Sequence, residues 1–279
     1  MTSLPPTSAS YTPDSTAASS SPDTSPAPPG TKRCAIHQPN LFPRLSTLAK
    51  LFAADCWVVL DDVQFARRDY QHRARLARLE VPYDRQWLSL PTHLPNGRPT
   101  LISEGRLVEP LKSHRRVAER VRQHYDRSAH WKAVQTALEP VLDRFGTTDR
   151  TADIAEASAY ALLALLGWQG EVVRSSDLSA RAGRSQRLAD LAAAVGSGAY
   201  LCGTGGMRYL DAEPFAVLGI AIVPFRLPDA SMSGIWGSAR EVSALWALAT
   251  IGPERLADEL RVSGPHDGRC PGLRCAEAM

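Results

Sequence analysis

The stretch CAIHQPNLFPRLSTLAKLFAADCWVVLDDVQF, residues 34–65, decides the fold that we expect for this chain. Residues 34–36 are a short apolar run of strand type, and apolar side chains then recur at helical spacing over residues 45–52. Residues 56–60 (CWVVL) form a continuous apolar run, the pattern of a strand that is covered on both faces. Strand, helix and strand in this order predict a βαβ unit with two parallel strands.

Both predicted strands end in polar segments, HQPN at residues 37–40 and DDVQ at residues 61–64. Pro39 disfavours helical geometry at Gln38, so the chain leaves the first strand in an extended or turn conformation. Neighbouring parallel strands end at the same sheet edge, which is where open α/β sheets bind ligands. We therefore predict a shared crevice with Asn40 as a substrate contact and with the candidate catalytic residues His37, Gln38, Asp61, Asp62 and Gln64.

Apolar runs of strand length alternate with helical patterns through the rest of the chain. The alternation predicts an α/β fold with a mostly parallel, Rossmann-like sheet flanked by helices, and with a helical insertion in the middle of the chain. Predicted strands cover residues 86–91, 100–103, 171–174, 199–202 and 219–227. The first two are predicted to form a hairpin around the Asn96-Gly97 turn. Predicted helices cover two stretches between 111 and 145, then 153–166, 184–195 and 238–250.

Composition divides the chain into three parts. Residues 1–33 are Ser, Thr, Pro and Ala with almost no large apolar side chain, and such a segment buries too little surface to offset its conformational entropy. We expect this segment and the tail 263–279 to be disordered. Residues 34–262 are expected to form one domain, in which residues 111–166 make a helical subdomain.

The 279-residue chain has a formal net charge of +3 and a pI near 8.7, a mild basic excess. Nucleic acid is therefore not an expected partner, since the arginine-rich segment 67–78 also lacks interleaved surface aromatics. We expect no membrane span, because no apolar run approaches about 18 residues, and no secretory signal, because residues 1–33 have neither an apolar core region nor a basic start. Five cysteines occur without the spacing of a zinc site, and three of them lie in strand-like runs as small core residues. A reducing, cytoplasmic setting is the simplest expectation.

Several motifs resemble those of the WbqC-like protein family, whose members are encoded among bacterial polysaccharide (O-antigen) and secondary-metabolite biosynthesis genes. HQPN followed by FP, then LDDVQF and the triplet Gln71-His72-Arg73, carry the resemblance, and the segment 199–211 is similar to the family's Gly-rich run. Lys112 and His114 fall where the family has a Lys-His pair. Cys202 is found where the family has a serine, and Trp246 where it has an aspartate, whereas HQPN and LDDVQF are intact. The resemblance therefore implies a retained core chemistry with altered substrate choice.

Arginines and a Gly-rich turn provide candidate anion contacts. Guanidinium groups form forked, charge-assisted bonds to phosphate or carboxylate, although a solvated basic face is the alternative interpretation. A strand that runs into a Gly-rich turn and a helix start lets backbone N–H groups approach an anion, although such turns are also purely structural. The residues that we expect to bind substrate or anion are Asn40, Arg73, Lys112, His114, Ser175, Ser176, Gly203, Gly205, Gly206 and Tyr209.

The first functional hypothesis is a group-transfer enzyme, with acyl, aminoacyl and nucleotidyl transfer all open. In it, His37 and Gln38 orient the reacting group, and Asp61 or Asp62 holds a cation or accepts a proton. Adjacent strand residues point to opposite faces, so one of the two aspartates is expected to reach the site. The resemblance implies an amino sugar, amino acid or related metabolite as acceptor. A nucleotide or Mg²⁺ is compatible as cofactor, and no metal ligands are assigned.

The second hypothesis is a non-catalytic accessory protein. It binds a phosphorylated or carrier-linked biosynthetic intermediate and presents it to a partner enzyme. In both hypotheses the expected partner is a small-molecule or carrier-linked substrate. No nucleophile stands out in the sequence, because no serine lies in a GxSxG turn.

Overall fold

The computed structural model describes residues 30–228 and 234–263. Its strands are β1 (Arg33–His37), β2 (Cys56–Val59), β3 (Arg73–Ala77), β4 (Arg85–Ser89), β5 (Thr92–His93), β6 (Arg106–Leu107), β7 (Glu171–Arg174), β8 (Ala199–Gly203) and β9 (Ala221–Phe225). Its α-helices are α1 (Leu45–Phe52), α2 (Pro110–Tyr125), α3 (Trp131–Arg144), α4 (Thr151–Leu165), α5 (Arg184–Ala194), α6 (Glu213–Val217), α7 (Ala244–Ile251) and α8 (Pro253–Val262).

Five strands form one parallel sheet in the order β7-β2-β1-β8-β9. The chain builds the sheet outward from β1 through β2 to β7, and then returns to the other side of β1 to add β8 and β9. The order reverses between β1 and β8, which makes this position the topological switch point of a doubly wound sheet. The predicted α/β, Rossmann-like fold with a mostly parallel sheet is confirmed.

At the switch point, β1 and β8 pair only at their starts. Four consecutive residue pairs join β1 to β2, whereas two pairs, at Arg33 and Cys34, join β1 to β8. The carboxyl-terminal halves of β1 and β8 are therefore not hydrogen-bonded to each other as a ladder. The sheet is open at the place where doubly wound proteins bind their ligands.

Alternating side chains of the sheet build two hydrophobic layers. Cys34, Ile36 and Val58 pack with α5 and α6 on one face. Ala35 and Trp57 face the other way, into a larger cluster that includes buried residues of α1, α2, α3, α4, α7 and α8. The helices between β6 and β7 thus share one continuous core with α1 and the sheet.

The predicted hairpin partner of residues 86–91 is wrong. β4 pairs antiparallel with β3 and not with residues 100–103, part of which forms a 3-10 helix. The sequence of β3, RARLA, alternates arginine with small or apolar residues, and the arginines stay partly exposed while the other three residues are buried. This is the pattern of a half-buried strand, but the many arginines in the segment led to its interpretation as a basic surface segment.

The predicted helix 238–250 is shorter in the structure, and a second helix follows it directly. α7 begins at Ala244, and Ser238 belongs to a 3-10 helix. Gly252 ends α7 with a positive φ of 80°. Pro253 then begins α8, because proline suits the first position of a helix, where no N–H is needed.

The predicted disordered segments 1–33 and 263–279 lie outside the described residues except at their inner ends. β1 begins at Arg33 and α8 ends at Val262. Over the ranges that the structure describes, no helix combines the length and the apolar character needed to cross a membrane.

Candidate functional site at the topological switch point

A cavity of about 490 Å³ opens at the carboxyl edge of the sheet, above the position where β1 and β8 separate. We call it the switch-point crevice, and its volume is in the range of small-molecule sites. Five of its lining residues were predicted from the sequence: His37, Gln38, Asn40, Gly206 and Tyr209. Three lining arginines were not predicted: Arg44, Arg184 and Arg187.

The HQPN loop is fixed to its neighbours by hydrogen bonds. Gln71, which is fully buried, donates from Nε2 to Gln38 Oε1 at 2.8 Å. Phe42, which follows the loop, has a positive φ of 39°, and its N–H donates to Ser158 Oγ at 2.7 Å. Asn40 is buried. These contacts hold the loop above β1 in one conformation and thereby fix the place of the residues that line the crevice.

His37 ends β1 and presents a neutral imidazole to the crevice. Its Nδ1 lies 2.8 Å from the Gln38 carbonyl oxygen. A carbonyl only accepts, so Nδ1 carries the proton and Nε2 keeps a lone pair, which no described residue occupies. Burial lowers the pKa of His37 to about 3, and the positive charges of Lys50 and Arg44 contribute in the same direction. The ring is therefore unprotonated near pH 7 and able to accept a proton.

Lys50 places an amine at the floor of this region. The residue is 9% exposed, and its Nζ donates to the Ile36 carbonyl oxygen of β1 at 3.4 Å. Among the residues described, no carboxylate pairs with it. Burial lowers the pKa of Lys50 to about 8, and the Cys202 and Cys34 thiols act in the opposite direction. The amine is still mostly protonated at pH 7 and adds positive potential beneath His37.

Arg44 lies at the start of α1 and faces the crevice with an unsatisfied donor. Its Nη1 donates to the Arg240 carbonyl oxygen at 3.1 Å, and its guanidinium lies 4.2 Å from the centre of the Tyr70 ring. Its Nε is buried and has no hydrogen-bond partner in the described part of the chain. A buried donor without a partner costs about 1–3 kcal/mol, so an anionic ligand that accepts from it gains affinity.

Arg184 and Arg187 extend from the first turn of α5. The guanidinium of Arg184 lies 5.2 Å from the centre of the Tyr209 ring. Arg187 forms an ion pair with Asp62 through Nη2, while its Nε is buried without a partner in the two described ranges. Asp69 is the carboxylate that lines the crevice with the three arginines. The lining therefore carries an excess of positive charge.

Asp61 and Asp62 fasten the end of β2 to the end of β7. Asp61 is buried and accepts from Ser176 N at 3.1 Å and from Ser176 Oγ at 2.9 Å. The Ser175 hydroxyl lies 3.2 Å from Asp61 Oδ1 and also contacts Asp62. We call these four residues the aspartate–serine lock. Both aspartates reach Ser175 because the chain bends at residues 62–63, so the expectation that they point to opposite sides does not hold.

The lock is linked to the crevice by Arg187, which lines the crevice and pairs with Asp62. On its far side, Arg174 of β7 pairs with Asp153 and Glu156 of α4 at 2.8 and 2.9 Å. The carboxylate oxygens of Asp61 are thus engaged by donors of the protein itself. This arrangement positions the two strand ends and leaves the crevice lining to other side chains.

Gln64 and Arg73 lie outside the crevice lining. Gln64 is exposed and donates to the Arg98 carbonyl oxygen at 2.7 Å. Arg73 donates from Nε to the Asp69 carbonyl oxygen at 3.2 Å and contacts the carbonyl oxygen of Arg68. Arg73 therefore supports the loop that carries Asp69, and its predicted role toward an anion stays a prediction.

Lys112 and His114 also lie away from the crevice, at the start of α2. Lys112 is largely exposed and pairs with Glu109 at 2.5 Å. His114 packs edge-on against Phe145, with 5.9 Å between the ring centres. The structure does not bring either side chain together with His37, and their predicted binding roles stay predictions.

The Gly-rich turn after β8 leads into a three-residue 3-10 helix that begins at Gly206. A Cβ on Gly206 would lie 2.8 Å from Cys202 Sγ, so the residue permits a close approach of the turn to β8. A Cβ on Gly203 or Gly205 would meet open space. Gly206 lines the crevice, whereas Gly203 and Gly205 lie just outside its lining.

The cysteines of the sheet are buried, as expected for small core residues. Cys34, Cys56 and Cys202 are free thiols, and burial raises the pKa of each, to about 12 for Cys34. None of the three is therefore a thiolate nucleophile near pH 7. Within residues 30–228 and 234–263, no group of three or more His, Cys, Asp or Glu side chains is arranged to hold a metal ion.

Comparisons with known proteins agree with this description. The model of the WbqC-like protein family matches residues 38–253, which include the lock and the crevice lining apart from Ile36 and His37. The chain is also 25% identical over 230 residues to the uncharacterized protein Rv1507c of Mycobacterium tuberculosis, a match that covers 80% of this chain and 95% of that protein. No solved structure matches the chain significantly. The resemblance to the WbqC-like family is confirmed over residues 38–253, and the protein belongs to the WbqC-like protein family.

Proposed function

We propose that the protein is a group-transfer enzyme that binds an anionic substrate in the switch-point crevice and uses His37 as its proton acceptor. The observation that carries the proposal is the position of the free His37 Nε2 among the cationic side chains of one cavity. Doubly wound sheets bind their ligands at this place. Arginines hold phosphate and carboxylate groups with forked, charge-assisted hydrogen bonds, so the substrate class is a phosphorylated or carboxylated metabolite.

An anionic substrate also improves His37 as a base. In the protein alone the pKa of His37 is about 3, which gives the imidazole little affinity for a proton. A negative charge within about 4–6 Å favours the imidazolium form and raises this pKa toward the neutral range. The site thus gains basicity when the substrate is bound, and general acid–base catalysis is most efficient when the pKa lies near the working pH.

The proposed step is an attack of an acceptor amine or hydroxyl on the carbonyl or phosphoryl centre of a donor. The bond from the acceptor nitrogen or oxygen to that centre forms, and the bond from the centre to the leaving group breaks. His37 Nε2 takes the proton of the acceptor and returns it to the leaving group. Arg44, Arg184 and Arg187 hold the anionic part of the substrate and offset charge that develops during the transfer.

The transferred group is of the acyl, aminoacyl or nucleotidyl class. An amino sugar, amino acid or related metabolite is the proposed acceptor, within polysaccharide or secondary-metabolite biosynthesis in the cytoplasm. Membership of the WbqC-like family supports this setting through the genes among which its members are encoded. A bound nucleotide is compatible with the cationic lining, and Mg²⁺ would have to enter with its phosphates, because the Asp61 oxygens are already engaged.

A thermal-shift screen followed by a turnover assay tests the proposal. Nucleoside triphosphates, sugar nucleotides and acyl phosphates are added with and without Mg²⁺, and a ligand that binds the folded state raises the melting temperature. Turnover with candidate acceptors is then followed by mass spectrometry. His37→Gln is expected to keep the thermal shift and to lower turnover by about 10²–10⁴-fold, the usual contribution of a positioned acid–base group. Full turnover in His37→Gln contradicts the assignment of the base.

A non-catalytic accessory protein is the second candidate function. The observation that favours it is that Asp61 and Asp62, the carboxylates expected to act in catalysis, are engaged in the lock and do not line the crevice with His37. In this case the crevice only holds a phosphorylated or carrier-linked intermediate. Loss of ligand affinity in His37→Gln, with no turnover in the wild type, would select this alternative.

A further inference from the structure

A row of arginines and aromatic rings leads out of the switch-point crevice along the β3–β4 hairpin. Arg44, which lines the crevice, lies 4.2 Å from the Tyr70 ring centre, and the Tyr70 ring lies 5.6 Å from the Trp87 ring. Arg73 and Arg75 lie 4.2 and 4.5 Å from the Trp87 ring centre. We call these five residues the arginine–aromatic strip.

The antiparallel pairing of β3 and β4 creates the strip. Arg75 is opposite Trp87 in the ladder, and side chains that alternate with them, such as Ala74 and Leu88, are buried in the core. Arg73, Arg75 and Trp87 therefore share the outer face of the hairpin. The Trp87 side chain is 37% exposed, and among the described tryptophans it is the one that counts as exposed. Tyr70 of segment 67–78 is only partly exposed, and the neighbouring strand adds the more exposed Trp87.

The strip has positive charge that the described residues do not neutralise. Arg44, Arg73 and Arg75 form no ion pair in the part of the chain that the structure describes; Arg73 donates to backbone carbonyls instead. Arg67 and Arg68, in the loop just before β3, are exposed and likewise have no carboxylate partner there. Local charge density attracts a polyanion even when the net charge of the whole protein is only +3.

We propose that the arginine–aromatic strip binds single-stranded nucleic acid. Single strands are held by guanidinium groups that contact the phosphates and by aromatic rings on which the bases stack. The strip offers three guanidinium groups and the exposed ring of Trp87, and Arg73 and Arg75, which lie over this ring, have to turn toward the phosphates when a base stacks on it. The bases of a duplex are stacked on each other, so a duplex would contact the strip only through its phosphates. An acidic protein surface likewise uses the arginines and leaves the indole without a stacking partner. This inference is independent of the proposed chemistry at His37.

Fluorescence anisotropy with a labelled single-stranded RNA of about twelve nucleotides, within the usual site sizes of such surfaces, tests the proposal on the full chain. Trp87→Ala is expected to weaken binding about five-fold or more, since base–aromatic stacking contributes at this level, while Trp87→Phe retains most of the affinity. Arg75→Gln is expected to lower both the affinity and the slope of log K against log salt, by about 0.7 for one lost phosphate contact on a single strand.

Matched controls separate the strip from general charge effects. Tyr160→Ala removes an exposed ring from α4, and Arg255→Ala removes an exposed positive charge from α8, so both are expected to bind as the wild type does. His37→Gln is also expected to bind RNA normally, so that failure of the catalytic proposal leaves this one standing. Melting temperatures of all variants verify the fold, and Arg75→Gln decides the question if Trp87→Ala does not fold.

Three results overturn the proposal. The first is no binding of single-stranded RNA or DNA up to about 100 µM, the weak end of the non-specific range at physiological salt. The second is equal affinity of Trp87→Ala and Tyr160→Ala. The third is displacement of the RNA by a duplex or by polyglutamate as readily as by unlabelled single strands, which identifies a surface for polyanions in general or for an acidic protein.

Discussion

Two pairs of strand ends meet at the same edge of the sheet, and they differ in how far their polar groups are satisfied. At β2 and β7, the aspartate–serine lock pairs carboxylates with hydroxyls and a backbone N–H, and Arg174 is paired with two carboxylates. At β1 and β8, the strands separate, and His37 Nε2 and the Nε of Arg44 keep hydrogen-bonding capacity that the described residues do not use. The difference indicates that the acidic residues of the LDD motif fasten two strand ends, whereas the cations around His37 line the proposed ligand site.

The largest effect on stability is expected at the lock. Asp61→Ala removes the acceptor for the Ser176 N–H and hydroxyl and also a hydrogen-bond partner of the Ser175 hydroxyl, which is buried. We expect a loss of about 1–3 kcal/mol in the free energy of unfolding, measured by urea denaturation, since a buried polar group that loses its partner costs about this much. His37→Gln, on the crevice side, is the matched control and should change stability by less than about 1 kcal/mol. Equal losses in the two variants would remove the distinction between fastening and site.

The next effect concerns affinity for anions. Arg187→Gln deletes a crevice cation and leaves Asp62 with Ser175 as its partner. Because hydrogen bonds to charged groups contribute about 1.5–3 kcal/mol, we expect roughly 10–100-fold weaker binding of the ligand found in the thermal-shift screen. Isothermal titration calorimetry measures the change. Arg181→Gln is the control, since Arg181 pairs with Asp190 away from the crevice lining; an equal loss there would mean that only the overall charge matters.

Lys50 is expected to change how the stability of the protein depends on pH. Its pKa is about 8 in the folded protein, below the ordinary value of 10.5, so the unfolded chain binds the proton more tightly. The ionisation of Lys50 alone should therefore make stability rise as the pH increases from about 8 to 10.5, and Lys50→Met should remove this contribution while keeping the length of the side chain. The buried thiols, whose pKa values are raised, lower the stability of both proteins over the same pH range, so the rise is measured as the difference between the wild type and Lys50→Met. Urea denaturation at several pH values measures it. Lys112→Met, on an exposed lysine, should leave the alkaline rise in place.

The fold was largely predictable because its signals are local. Continuous apolar runs such as residues 56–60 marked the parallel strands, and the polar breaks after them marked the correct sheet edge. The pairing of β3 with β4 was missed because arginines on the exposed face obscured a period of two. The same pairing produced the interleaved Trp87, which the linear order of residues does not display.

The site was predictable only in part, because its cations come from separate elements. Lys50 lies in α1, a helix that is buried on nearly every side. The sequence of such a helix does not show that its lysine is buried. Arg187 lies in an amphipathic helix where the sequence suggests a solvated face, yet it pairs with Asp62. Their position near the topological switch point is what identifies Lys50 and Arg187 as site residues. The switch point can be located only when the order of the strands is known.

The most direct test of the account is an NMR titration of His37, with His37→Gln used to assign its resonances. We predict that the imidazole of the free protein stays neutral down to about pH 4, and that saturating pyrophosphate raises its pKa toward 6.5 in the wild type and less in Arg187→Gln. Lys50→Met should raise the pKa of the free form, because it removes a neighbouring positive charge. Titration of His37 near 6.5 in the free protein, or a pKa that does not change when pyrophosphate binds, would contradict a cationic, anion-dependent site at the switch point.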